Sequence, residues 1–173
     1  MSPDPSRARW LTHTALYLAL AVVLPVGFHA FGIGGRVFLP MHIPVLLAGF
    51  LMGPASGLTV GLLSPIVSYL LTSMPPSYAV LLMAMEQSIY GLVAGLAYYR
   101  LHMNIYVALL TAMVVGRIMF GLGILLLGLF MELPYDVLYF FSSAGPIVTG
   151  LPGIALQLVV VPILVAGIQR RRY

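Results

Sequence analysis

Apolar residues run along this chain in long stretches, and the few polar residues gather at the ends of those stretches. The first stretch, residues 10–31, predicts a helix and continues past the length of a cleavable leader core, so it reads as a retained first helix. The second, residues 37–72, carries no charge and is broken by Gly53-Pro54. Each half is long enough to span a bilayer at about 1.5 Å per residue, which predicts two helices here. Further helices are predicted over 78–99, 105–130 and 144–168. The punctuation between them is Met74-Pro75-Pro76, Arg100 and an acidic turn from Glu132 to Asp136. No repeat or low-complexity tract interrupts the series. Residues 1–6 are expected to be a disordered tail, and 7–173 a single domain.

Composition says which solvent these helices need. Of 173 residues, 61% are hydrophobic and only 7% are charged, against about 25% charged in soluble domains. A mean hydropathy of +1.08 would leave more apolar surface than water tolerates. The expected fold class is therefore an all-α membrane protein with six transmembrane helices, in the cell membrane.

The charges then orient it. All eight basic residues are arginine, and cytoplasmic flanks are enriched in basic residues. Arg7 and Arg9, Arg100, and Arg170 to Arg172 are separated by even numbers of predicted helices, which places both termini in the cytoplasm. Arg36 is the exception, in an outer loop. The same inventory excludes several functions. Scattered arginines form no basic face for nucleic acid. The absence of cysteine removes thiolate metal sites and cysteine nucleophiles. The absence of lysine removes a Walker A loop, so the chain has no ATPase of that kind.

Enzyme readings fare badly. Ser64 and Ser68 lack the glycine context of an intramembrane serine protease. His13, His29, His42 and His102 show no metal-ligand spacing, and no cofactor or metal is expected.

Small residues four apart, at Ala15 and Ala19, Gly57 and Gly61, and Gly91 and Gly95, allow close backbone approach in lipid. The glycine pairs read as packing within the chain's own bundle, whereas the alanine pair is also placed for a partner subunit. Prolines at 25, 40, 44, 65, 152 and 162 mark bent or interrupted helices, which recur at membrane substrate sites but are common in membrane helices generally.

Two charges fall deep inside predicted helices. Glu86 and Arg117 each cost at least about 2.5–3.5 kcal/mol to insert at the centre of a bilayer. The helices carrying them are consecutive and antiparallel, so the side chains can meet. One reading is a structural ion pair, although buried pairs add little stability over apolar packing. The other is a polar-solute site, because arginine presents a planar fork suited to a carboxylate. Tyr90 lies one turn from Glu86 on the same face, beside Gln87. His42, Thr72, Tyr78, Ser142 and Ser143 add polar groups towards the outer half. His42 alone reads more readily as a packed core histidine than as a ligand, and Tyr78 as an interfacial anchor. Together they outline an outward-facing polar cavity, roofed by residues 32–39 and 73–77.

The run from Phe38 through Pro40-Met41-His42-Ile43-Pro44 to Gly53-Pro54 resembles the second-helix signature of the S components of energy-coupling factor (ECF) vitamin transporters. Gly57 to Pro65, Thr72 to Pro76, Glu86 with Tyr90-Gly91, and Gly116-Arg117 continue the pattern, which covers about residues 8–170. The resemblance implies a six-helix subunit that binds a vitamin or related micronutrient from outside. Such a subunit has no ATPase and docks on a transmembrane T subunit with two ABC-type ATPases. Ala15 and Ala19 match the family's docking motif for the T subunit. The Met-His-Ile-Pro version resembles members linked to pantothenate or hydroxymethylpyrimidine, and Arg117 as a carboxylate partner favours pantothenate. A cell-shape scaffold or a self-sufficient secondary carrier are the alternatives.

Overall fold

A computed structural model describes residues 5–30, 35–134, 138, 142 and 145–170. The chain forms α1 (Pro5–Ala30), α2 (Gly35–Phe38), α3 (His42–Met52), α4 (Pro54–Thr72), α5 (Ser77–Tyr99), α6 (Ile105–Leu127), α7 (Pro146–Thr149) and α8 (Leu151–Arg170). Among the described residues there is no strand. Five helices, α1, α4, α5, α6 and α8, are long and apolar enough to cross a membrane.

The boundaries follow local chemistry. Gly53 turns the chain at φ 94°, and Pro54, with no N–H to leave unpaired, opens α4. Asn104 caps α6 by accepting a hydrogen bond from the Val107 N–H at 2.9 Å. Ser73 ends α4 in the left-handed region at φ 56°, its N–H donating to the Tyr69 carbonyl.

Three boundaries differ from the sequence expectation. The second predicted helix is discontinuous: α2 ends at Phe38, Leu39 takes φ 49°, and only His42–Met52 continues as regular helix. Its 11 residues reach about 16 Å at the usual rise, too short to span unaided. Pro40 lies in this break, where its fixed ring and missing N–H suit the interruption. The fifth predicted helix ends at Leu127, and residues 128–130 are turns. The sixth is divided at Gly150 into α7 and α8. Pro5 and Ser6, expected in the tail, open α1, and residues 1–4 lie outside the described residues. Asp4, Asp136, Ser143, Ala144, Arg171 and Arg172 lie outside them too, as does the side chain of Arg36.

Helix α5 is the centre of the bundle, packed on α3, α4 and α6, while α1 covers α3 and α4, and α8 lies against α2, α3 and α6. Glycine sets the closeness of the α4–α5 crossing. A Cβ on Gly57 would fall on the Gly91 backbone, and one on Gly91 would fall on Gly57. Gly61 lies as tightly against the Gln87 backbone, and Gly95 against Pro54. The glycine pairs therefore pack this chain's own helices, by the close approach that lipid-embedded helices use. On the other side of α5, Gly116 leaves room for the Tyr90 ring.

The bundle wears its apolar residues outside as well as inside. Leu70 and Leu71 of α4, Val114 and Ile118 of α6, and Val159 and Ile163 of α8 are exposed. His42, Ser64, Glu86, Gln87 and Gln157 are buried. This inversion suits a lipid surround, where polar groups find partners only within the protein.

One end of the bundle carries the arginines. Arg9 of α1, the Gly53 turn and Tyr99 of α5 line one cavity of about 530 Å³ there. Gln169 and Tyr98 meet at the same end at 3.3 Å, which brings in the last turn of α8.

Candidate functional site

Five helices place buried polar side chains at one depth. Counted along each axis from the arginine end, His42, Ser64, Glu86, Gln87, Tyr90, Arg117 and Gln157 all lie at about 14–20 Å. α3 contributes His42, α4 Ser64, α5 Glu86, Gln87 and Tyr90, α6 Arg117, and α8 Gln157. The close α4–α5 crossing brings Ser64 to Gln87, and the Gly116 notch seats Tyr90 beside the turn that carries Arg117.

At the centre, Arg117 Nη1 lies 2.9 Å from Glu86 Oε1. His42 Nε2 stands 3.8 Å from the other carboxylate oxygen. The His42 ring meets the Tyr90 ring edge-on, with centroids 4.9 Å apart. Ser64 Oγ donates to Gln87 Oε1 at 3.2 Å, which leaves the Gln87 amide nitrogen as a donor without a partner. Arg117 Nε and Nη2, Tyr90 Oη and both His42 ring nitrogens are likewise buried and make no hydrogen bond of full geometry, although Arg117 interacts with the Tyr90 hydroxyl and His42 with the Glu86 carboxylate. Interiors rarely tolerate so many orphaned groups in one place.

Most of the layer is closed to solvent: Glu86 is 2% exposed, His42 1%, and Gln87 and Tyr90 0%, while the Arg117 side chain is 12% exposed.

The structure brings together Glu86, Arg117, His42, Tyr90 and Gln87 from the sequence-derived set. Thr72 is not among them. It is exposed at the end of α4, where its hydroxyl donates to the Ser68 carbonyl at 2.7 Å. Tyr78 is half-buried in the first turn of α5, about 12 Å along the axis from Glu86. Ser142 is half-buried and precedes α7. Ala15 and Ala19 are exposed on α1, in an outward stripe with Leu11 and Val23. Sequence reasoning missed Gln157 and weighed Ser64 only as a nucleophile. The signal for both was a lone polar side chain inside an apolar helical run, weaker than that of a formal charge. No group of His, Asp and Glu among the described residues has the arrangement of a metal site.

A family model for the ECF transporter substrate-specific component matches residues 9–165. The chain belongs to that family. No curated protein and no solved structure gives a match. An ECF substrate-specific component is a transport subunit rather than an enzyme. With five long apolar helices, this one is a multi-pass membrane protein. Membership implies a small-molecule substrate and association with transmembrane and ATPase modules.

Proposed function

We propose that the closed polar layer is the substrate site. In this reading Arg117, Glu86, His42, Tyr90 and Gln87 hold a vitamin or related micronutrient taken from outside, for import driven by the ATPases of a shared coupling module. The observation that carries it is the state of Arg117. One nitrogen pairs with Glu86, while the Nε–Nη2 edge is buried without a hydrogen bond of full geometry, its remaining interaction being with the Tyr90 hydroxyl. That edge is the fork with which arginine grips a planar carboxylate. A clamp between α5 and α6 requires only the nitrogen paired with Glu86 and leaves the others incompletely satisfied.

Pantothenate is the favoured substrate, because it joins a carboxylate to an amide and hydroxyl groups. Thr72 and Tyr78 would then stand at the mouth of the path from outside. The interruption at Leu39–Met41 lies directly before His42, as broken helices do where membrane carriers hold solutes.

The orientation belongs to the same reading. The arginine end is cytoplasmic by the positive-inside rule. α2 and α3 together make the second of six crossings, and both termini lie inside. Ala15 and Ala19 present the small-residue stripe on which the T subunit docks.

Binding of labelled vitamins to the purified chain, with pantothenate as first probe, tests the reading. Saturable binding that Arg117→Ala abolishes is expected. No binding, with Arg117→Ala altering thermal stability alone, would contradict it.

A further inference from the structure

Helix α8 carries two glutamines with different surroundings. Gln169, half-buried at the arginine end, shares a hydrogen bond with Tyr98 Oη at 3.3 Å. Gln157 is 0% exposed, and neither its amide nitrogen nor its amide oxygen has a partner among the described residues. Buried polar side chains away from this depth are served: Thr14 pairs with Ser56 at 2.8 Å, and Ser88 donates to the Met85 carbonyl at 2.9 Å. Packing alone does not call for Gln157. The helix around it is Ile154, Leu156, Leu158, Val160 and Val161, and a leucine would fill a similar volume without burying an amide.

Its depth is the second observation. Gln157 stands about 20 Å from the arginine end of α8, and Glu86 about 20 Å and Arg117 about 18 Å along their own helices. α8 packs directly on α3 and α6, which carry His42 and Arg117. One turn nearer the opposite end, Gly153 lies against the Val37 and Phe38 backbone of α2, just before the break that leads to His42. Gln157 thus lies at the depth of the polar layer, on a helix packed against two of those that build it.

The chemistry of the unpaired groups restricts what they can take. Arg117 Nε and Nη2 and Gln87 Nε2 are donors only, and the Tyr90 hydroxyl and each His42 ring nitrogen donate or accept through a single atom. Gln157 alone adds an N–H donor and a C=O acceptor that are coplanar and side by side. A ligand that is all acceptor, such as a simple carboxylic acid, would leave the Gln157 N–H and C=O unequally served. A ligand with a carboxamide, secondary amide or amide-type heterocycle serves both, and sites built to hydrogen-bond such a group reject analogues lacking it.

We propose that Gln157 is a specificity-determining binding residue of the polar layer, selecting substrates that carry an amide-type donor and acceptor. This rests on the reading of that layer as the substrate site.

The test uses the full chain purified in detergent, with Gln157→Leu and, as a second apolar variant of similar length, Gln157→Met. Thermal unfolding of the ligand-free proteins comes first. Both variants are expected to melt at the wild-type temperature or a few degrees above it. A fall in both would make Gln157 a structural residue and overturn the proposal. Titration then uses pantothenate and its ester analogue, in which oxygen replaces the amide N–H and the carboxylate is kept. Wild type is expected to prefer pantothenate at least tenfold, and the variants to lose most of that preference. Binding whose preference survives in both variants overturns the assignment of Gln157 alone. Failure of wild type to bind either compound overturns the reading of the layer, and this proposal with it.

Discussion

Arg117 and Glu86 meet at 2.9 Å across the α5–α6 interface, with side chains 12% and 3% exposed. Removing one partner leaves the other charge buried and uncompensated, at a cost of about 3–5 kcal/mol. Glu86→Gln and Arg117→Gln should each lower the thermal stability of the purified chain clearly. The double variant, with neither charge, should recover most of the loss. Additive destabilisation in a double-mutant cycle would mean the two groups are not coupled.

That pair was legible in the sequence, because a formal charge within an apolar run must find a partner somewhere in the bundle. The helices were legible for a similar reason, since apolar length and arginine spacing are one-dimensional quantities. Other features were not. Whether Gln157 has a partner is a property of the neighbouring helices, and nothing at position 157 itself announces it. Thr72 looked like a site residue from its polarity, yet its hydroxyl is spent on the Ser68 carbonyl one turn away. Pro40 signalled a disturbance, but the sequence did not show that Leu39 leaves the helical region there.

The α4–α5 crossing makes a prediction about assembly. Gly91→Ala places a methyl group on the Gly57 backbone, which cannot rotate away, so a loss of about 1–3 kcal/mol is expected from overpacking. Gly27→Ala is the control, because nothing stands within 4 Å of a Cβ there. Thermal unfolding of the two variants side by side checks it. Equal melting temperatures would show that the helices are not in glycine contact.

The outward stripe on α1 separates docking from binding. Ala15→Leu and Ala19→Leu change exposed positions on the outward stripe of α1, so substrate affinity should stay within about twofold of wild type. ATP-dependent uptake in vesicles containing the coupling module should fall at least tenfold. Undiminished uptake in both variants would remove the docking role of this stripe.

The claim that the polar layer holds the substrate is tested most directly by mass spectrometry of small molecules that copurify with the chain. Wild type should be compared with the Glu86→Gln, Arg117→Gln double variant, chosen because its fold is expected to survive. The account predicts a small acidic molecule on wild type, absent from the double variant. The same molecule retained at equal occupancy by both proteins would contradict it.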